Sequence, residues 1–324
     1  MLYSFEARGK DCVAIDEPLY RDWIIKKGDA IARPYKDALI RGEAPDGSDD
    51  ADRWKREVAS LEERIHNAAE ILGQDGGVIF LKHMAKHCFL YDLDSEPSID
   101  LPENAKNLNL IHRHVLLIRD PVAVLSSWSL SSDVHNAVTP DEVGIIPMLS
   151  IYSTLSSRYA PPVVLLDSDE LVADPEETLS GLCHDLEIPY TSAMLSWSSG
   201  EHACDGPWAK WWYRDVHKSD GWRKPTSDAK SYPSSYGTPK YRTLPPDLLP
   251  ALKASLPAYN FLKGLTRGTQ TRGPPLEEIC EDPRNANLLV WIGAPGRGRL
   301  IPRDMAGTTR TVHVFNSVVD RAQS

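Results

Sequence analysis

Residues 115–121 read Val115-Leu116-Leu117-Ile118-Arg119-Asp120-Pro121, an apolar run that ends in an arginine, an aspartate and a proline. A short apolar run of this kind is typical of a buried strand in a parallel sheet. Proline suits the first turn of a helix, so the chain is expected to continue as a helix over 121–130. The stretch therefore predicts a strand-turn-helix unit with Arg119 at the carboxyl end of the strand.

The same alternation of strand and helix extends from the start of the chain to about residue 265. Further apolar runs predict strands at 12–15, 78–81 and 163–166. Helical patterns lie over 52–73, 143–158, 174–187, 247–255 and 257–265, and Asp174 followed by Pro175 marks the start of the third. Strands that alternate with helices predict an α/β fold, a three-layer arrangement around a parallel sheet, over residues 1–265.

The remaining residues have a different pattern. Residues 266–283 are predicted to form a linker. Residues 284–324 are predicted to form a short β stub, with a hairpin over 288–302 and a strand over 312–315. About 40 residues rarely fold alone, so this stub is not expected to be an independent domain.

Composition excludes several classes of function. The formal net charge of −10 argues against a broad nucleic-acid-binding surface, although a local basic pocket for one anion remains open. No apolar run approaches the ~20 residues of a membrane span, and the first residues do not read as a signal peptide, so we predict a cytoplasmic protein. The five cysteines are scattered without a CxxC pair, which predicts reduced thiols and no metal site.

Arg119 and Ser127 are the first candidate binding residues. The guanidinium of Arg119 offers a two-pronged donor for an anion, and Ser127 adds a hydroxyl two helical turns later. A strand that ends in Arg-Asp-Pro can equally be a helix cap with an arginine–carboxylate pair. The residues alone leave both interpretations open.

Lys82 and His83 follow the predicted strand at 78–81. An imidazole there could take a proton from an acceptor group, and the ammonium could stabilise negative charge. His87 is the alternative base. The segment can also be an exposed basic turn at a strand end, with no catalytic role. Glu17 and Asp169 also follow strands and could contact substrate, although salt bridges to nearby arginines explain them as simply.

Several separate segments resemble a known family and occur in the same order as in that family. They are residues 16–20, 33–35, 117–121 with 126–128, 167–171 with 174–175, and 211–213 with 216–219. On these segments the chain resembles the sulfotransferase family, in the branch where a sulfotransferase-like half precedes a branched-chain aminotransferase-like half. The resemblance implies a P-loop-type fold. It also implies transfer of a sulfuryl group from 3′-phosphoadenylyl sulfate, as co-substrate, to a small hydroxyl or amine acceptor.

The resemblance also implies roles for particular residues. Arg119 and Ser127 would bind the 3′-phosphate of the donor, with His83 as general base and Lys82 stabilising charge. A late basic segment would fold over the same phosphate, which points to the residues Lys218, Ser219 and Gly221. The tryptophans around this segment are expected to pack beneath a loop rather than to bind the nucleobase.

The chain departs from the family pattern at both ends. Family members begin with a strand and a Pro-Arg-Ser-type loop around the donor's 5′-phosphosulfate, whereas residues 1–5 resemble the helix after that loop. We therefore expect a sheet that lacks its first strand. Whether Met1 is the true start of the protein stays open. The tail is similar to the opening hairpin of a class IV aminotransferase, without the lysine that would bind pyridoxal phosphate.

These departures support a second hypothesis, a catalytically inactive fragment or interaction module derived from such a fusion. A nucleotide kinase or NTPase is a third possibility, but the sequence has neither a GxxxxGK[ST] loop nor a clear magnesium-binding pair. The acceptor and the oligomeric state stay open.

Overall fold

The structure is a computed structural model of the chain, and it describes residues 1–45, 50–73, 76–88, 110–129, 138–158, 163–222, 244–266 and 309–316. Within these ranges, five strands form one sheet in which all neighbouring pairs are parallel. The strands are β1 Cys12–Asp16, β2 Gly77–Met84, β3 Leu110–Ile118, β4 Val164–Asp167 and β5 Thr309–Asn316. The four predicted strands before residue 265, the predicted strand over 312–315 and the α/β class are confirmed. The predicted hairpin over 288–302 lies outside the described residues.

Helices connect and cover the strands. They are α1 Leu2–Glu6, α2 Tyr20–Lys27, α3 Lys36–Arg41, α4 Ala51–Arg56, α5 Leu61–Leu72, α6 Pro121–Ser129, α7 Pro140–Val143, α8 Ile145–Arg158, α9 Ser168–Ala173, α10 Pro175–Asp185, α11 Ala209–Trp212 and α12 Leu249–Lys263. Among the helices that the structure describes, none has the length and apolar character needed to cross a bilayer.

Local capping decides where several helices begin. Asp174 caps α10 as predicted, since its carboxylate accepts a hydrogen bond from the Glu177 amide. The predicted helix over 52–73 is instead two helices, α4 and α5. Ser60 starts the second one with a capping box, in which the Ser60 hydroxyl accepts from the Glu63 amide and the Glu63 carboxylate accepts from the Ser60 amide.

Helix α12 corrects a second prediction. Two helices were expected over 247–255 and 257–265, but one helix runs through Pro257. A proline inside a helix removes one backbone hydrogen bond and disfavours the conformation of the residue before it. Here the face that carries Leu252, Tyr259 and Leu262 is buried in the same core as α6 and α8, and this packing maintains the helix.

The sheet has the strand order β1-β2-β5-β3-β4 and is covered on both faces. Val312 and Val314 of β5 are buried in a core shared with α1 and α10. Phe315 is buried in a second core shared with α6, α8 and α12. Because neighbouring residues of a strand point to opposite faces, β5 lies inside the three-layer arrangement.

The position of β5 is the main feature that the sequence did not indicate. We expected a sheet without its first strand and a separate tail over 284–324. In the structure, Thr309–Asn316 lies between β2 and β3 and pairs with both over its whole length. Its centre is the buried stretch 312–315, which is apolar apart from one histidine and therefore suits a strand covered on both faces. The predicted division into an α/β domain, a linker and a fragment stays a prediction.

Candidate active site

Polar and charged side chains gather where the parallel strands end. Glu17 follows β1, Lys82 lies near the end of β2, and Arg119 and Asp120 follow β3. Asp167 is the last residue of β4. Ligands of open α/β sheets bind outside the carboxyl ends of the strands, so this edge is the candidate active site.

Lys82 lies at the centre of a cluster that we call the lysine–carboxylate cluster, formed by Asp16, Glu17, Lys82 and Tyr213. Its ammonium Nζ is 3.1 Å from Asp16 Oδ1 and 2.6 Å from Glu17 Oε1. The same nitrogen donates to Tyr213 Oη at 2.5 Å, and that hydroxyl donates to Asp16 Oδ2 at 2.7 Å. Both carboxylate side chains are fully buried, while 17% of the Lys82 side chain is exposed. The cluster therefore holds the ammonium in one position at the border with solvent.

The backbone conformation of Glu17 positions its carboxylate in the lysine–carboxylate cluster. Its φ of 38° lies in the left-handed region that non-glycine residues rarely adopt. The Glu17 amide donates to the Lys82 carbonyl at 2.8 Å, which extends the pairing of β1 with β2 by one residue. Such backbone conformations persist where surrounding contacts hold them, often at functional sites. The turn directs the Glu17 carboxylate back to Lys82.

His83 lies on the opposite face of β2 from Lys82. Its imidazole is buried, with Nε2 at 3.2 Å from His313 Nδ1 and its ring stacked on Phe315. Burial lowers the pKa of His83 to about 3, and the nearby His114 lowers it further. A general base must come within hydrogen-bond distance of the proton it takes, so this burial weighs against the predicted role. That role stays a prediction.

His87, the alternative base, lies beside the lysine–carboxylate cluster. Its Nδ1 is 3.7 Å from Glu17 Oε2, and its ring stacks on Tyr20 with centroids 4.8 Å apart. Burial lowers the pKa of His87 well below its usual value, and the charge of Lys86 adds to this effect. Both imidazoles are therefore neutral at pH 7.

The burial of His83 has a consequence for stability. Between its folded pKa of about 3 and its unfolded value near 6.5, the unfolded chain binds more protons, so His83 lowers stability as the pH falls through this window. In the His83→Leu variant, the free energy of unfolding is expected to fall by about 1.4 kcal/mol less per pH unit than in the wild type. Urea unfolding at several pH values between 7 and 4 measures the effect.

The matched control is His66→Leu, at a histidine whose side chain is 55% exposed. This variant should keep the pH dependence of the wild type. If His83→Leu and wild type lose stability in parallel as the pH falls, His83 is not a buried neutral imidazole.

Arg119 and Ser127 belong to one strand-turn-helix unit, as predicted. Arg119 follows β3 directly, and Ser127 is buried in α6, eight residues later. Asp120 Oδ1 accepts from the Val122 amide at 2.7 Å, which is the bond of a helix cap, and burial raises the pKa of Asp120 to about 6. The predicted helix cap is therefore present next to Arg119. This cap is compatible with the predicted anion-binding role of Arg119.

The carboxylates around Arg119 shape its electrostatic environment. Burial raises the pKa of Asp169, Asp167 raises it further, and the positive charge of Arg119 opposes this rise. Lys263 supplies a second cation, with Nζ at 2.8 Å from Asp167 Oδ2 and 3.0 Å from Glu170 Oε1. Asp169 is thus an electrostatic neighbour of Arg119, in agreement with the simpler interpretation of this carboxylate.

The residues of the late basic segment contact their own neighbours and the 195–197 segment. Lys218 is mostly exposed and pairs with Asp215 at 2.9 Å. Ser219 accepts from Trp197 Nε1 at 3.0 Å and donates to the Val216 carbonyl. Gly221, at φ +156°, forms a bridge with Ser196, and a Cβ atom there would lie 2.7 Å from the Leu195 carbonyl oxygen. The predicted donor contacts of Lys218, Ser219 and Gly221 stay predictions.

The nearby tryptophans pack as expected. Trp208 is almost fully buried, with its ring edge-on to Tyr20 at a centroid distance of 4.7 Å. Trp212 Nε1 donates to the hydroxyl of Tyr35. Both rings therefore have packing roles in a core formed with α2 and α3.

Sequence reasoning missed three residues of this region. Asp16, Tyr213 and His313 contact Lys82 or His83, yet none was predicted to be a site residue. The signal for Asp16 was its position at the end of a strand, next to Glu17. Tyr213 and His313 are separated from their partners by 131 and 230 residues, and no local pattern indicates such pairs. In the described ranges, no group of three or more ligand-type side chains has the arrangement of a metal site.

Comparisons with known proteins agree with this fold. A family model described as a sulfotransferase domain matches residues 1–234. The chain is 33% identical over 328 residues to branched-chain-amino-acid aminotransferase-like protein 1 of Arabidopsis thaliana, and 32% identical over 329 residues to protein 2 of that name. All of this chain but only 49% and 48% of those proteins are covered, so it spans about half the length of the curated relatives it matches.

Two solved structures are also similar. The sulfotransferase domain of the Synechococcus PCC 7002 olefin synthase aligns with a TM-score of 0.43 and 14% identity, over 78% of this chain and 88% of that one. The sulfotransferase domain from the curacin biosynthetic pathway aligns with a TM-score of 0.40 and 15% identity, over 68% of this chain and 78% of that one.

Proposed function

Because the chain belongs to the sulfotransferase domain family, we propose that it transfers a sulfuryl group from 3′-phosphoadenylyl sulfate to a hydroxyl or amine group of a small acceptor. The observation that carries this proposal is the β3–α6 unit, which presents Arg119 at the carboxyl edge with Ser127 in the following helix. An arginine fork with a hydroxyl nearby suits a phosphate dianion. We assign these two residues to the 3′-phosphate of the donor.

The spacing of the sheet fits a ligand that extends along its edge. Val314 of β5 is opposite both Lys82 of β2 and Val115 of β3, so Lys82 and β3 lie two strand spacings apart, about 10 Å. Arg119 follows Val115 by four residues, toward the carboxyl edge. A nucleotide with phosphates on both sides of its ribose could therefore contact Arg119 at one end and Lys82 at the other.

The proposed reaction is an in-line displacement at sulfur. The acceptor oxygen or nitrogen forms a bond to sulfur, and the bond between sulfur and the 5′-phosphate oxygen breaks. The electron pair of that bond leaves with 3′-phosphoadenosine 5′-phosphate, whose added charge Lys82 offsets. The acceptor proton passes to a neutral imidazole, for which His83 is the predicted base and His87 the alternative.

The second candidate is an inactive fragment or interaction module. Two observations favour it: His83 is fully buried, and the ammonium of Lys82 is already paired with two carboxylates. A base without access to the acceptor contributes nothing to catalysis. This candidate predicts no sulfuryl transfer.

A transfer assay distinguishes the two candidates. The protein is incubated with donor that carries ³⁵S in its sulfuryl group and with a panel of small phenols, alcohols and amines. We expect a labelled product, and a rate at limiting donor at least ~10-fold lower for Arg119→Ala, because loss of a charged hydrogen bond costs about 1.5–3 kcal/mol. Arg41→Ala, at a mostly exposed arginine paired with Glu43, is the comparison variant. Absence of labelled product across the panel would favour the inactive module.

A further inference from the structure

Strand β5 connects the two halves of the sheet. In the described structure, β1 and β2 form one half, β3 and β4 form the other, and β5 pairs with both. Its pairing spans Gly77–Met84 on one side and Leu110–Leu117 on the other. The side chains of residues 312–315 are at most 2% exposed. The space between β2 and β3 is therefore a strand-binding groove that buries its occupant on both faces and both edges.

The β5 strand of one molecule can also occupy the groove of another molecule. Residues 267–308 separate the end of the described α12 region from β5, and these 42 residues could span up to about 140 Å if extended. The five-stranded sheet is only about 20 Å across. A strand of the same sequence in a second molecule can make the same pairing and bury the same side chains.

We propose that the groove between β2 and β3 is a strand-acceptor site whose partner is the Thr309–Asn316 strand of a second copy. Two chains that exchange β5 reciprocally form a closed dimer without any new contact surface. Because the contacts in the groove are the same in both forms, the balance between them depends on protein concentration relative to the effective concentration of the tethered strand, of order millimolar. Deep burial of β5 makes opening slow, so exchange follows transient unfolding.

Isotope-coded cross-linking of the full chain tests this proposal. Val115 and Val314 are direct register partners, and Val115→Cys with Val314→Cys places two thiols on adjacent strands at about 4.8 Å between Cα atoms, within disulfide range. ¹⁵N-labelled and unlabelled chains are mixed, opened at a urea concentration within the unfolding transition, and refolded at high concentration. Mass spectrometry then identifies the disulfide-linked peptides.

We expect almost no mixed heavy–light peptide before opening. After opening, the share of β3–β5 disulfides that join a heavy to a light chain should rise with the refolding concentration toward one half, the value for random pairing when every chain has exchanged its strand. Val115→Cys with Val216→Cys is the matched control, since Val216 is 45% exposed and outside the sheet, and it should give no specific disulfide. Disulfides that join only chains of the same label after opening would overturn the proposal.

The wild-type chain provides a second measurement that does not depend on these substitutions. After the same treatment, light scattering during gel filtration should detect a species of twice the 36.1 kDa chain mass, increasing with the refolding concentration. A single monomeric species at every concentration would also overturn the proposal.

Discussion

Replacing Lys82 with methionine is expected to lower the free energy of unfolding by about 3–5 kcal/mol at pH 7. The ammonium is the cation that pairs with the fully buried carboxylates of Asp16 and Glu17. Methionine preserves most of the side-chain volume but leaves both carboxylates without that charge partner. An uncompensated buried charge costs far more than an exposed ion pair contributes.

Urea unfolding followed by tryptophan fluorescence at pH 7 measures this loss of stability.

Lys218→Met is the matched control. Its ammonium pairs with Asp215 at 2.9 Å, but 64% of the lysine side chain is exposed, so we expect a change within about 1 kcal/mol. Equal stability of the Lys82 and Lys218 variants would mean that the lysine–carboxylate cluster does not form.

Replacing Val314 with aspartate should have a comparable or larger effect, at least about 4 kcal/mol, or abolish cooperative unfolding altogether. Val314 is fully buried at the centre of β5, opposite Lys82 on one side and Val115 on the other. A carboxylate there loses its hydration, and the ammonium of the opposite Lys82 is already paired with Asp16 and Glu17. The substitution therefore disrupts the strand that joins the two halves of the sheet.

Val216→Asp provides the comparison for this substitution, because Val216 is 45% exposed. Thermal and urea unfolding by circular dichroism should give near wild-type stability for Val216→Asp and a severe loss for Val314→Asp. If both variants unfold like the wild type, the tail strand is not part of the sheet.

Features set by neighbouring residues were predictable from the sequence. The strand at 115–118 followed by Pro121, and the cap formed by Asp174 before Pro175, depend on residues within one or two turns of each other. The same reasoning placed Lys82 near a strand end and Arg119 directly after a strand. Pro257 shows the limit, since local preference predicted a break where core packing sustains the helix.

Features that depend on distant pairing were not predictable in the same way. A short run such as 312–315 indicates a strand but not its neighbours, because many pairings satisfy the same apolar pattern. The insertion of β5 between β2 and β3 brings His313 next to His83 and thereby determines the burial of that imidazole. Tyr213 is far from Lys82 in sequence, and only folding brings the two residues together. The sequence could therefore suggest Lys82 and His83 as neighbouring candidates, but not that they lie on opposite faces of β2 in different surroundings.

Calorimetry tests most directly the proposed recognition of the 3′-phosphate of an adenine nucleotide by Arg119. Wild type and Arg119→Ala are each titrated with 3′-phosphoadenosine 5′-phosphate and with adenosine 5′-phosphate, which lacks the 3′-phosphate. We expect wild type to bind the first nucleotide at least ~10-fold more tightly, and this ratio to fall to about one in Arg119→Ala. No binding heat from either nucleotide in wild type, or an unchanged ratio in the variant, would contradict the claim.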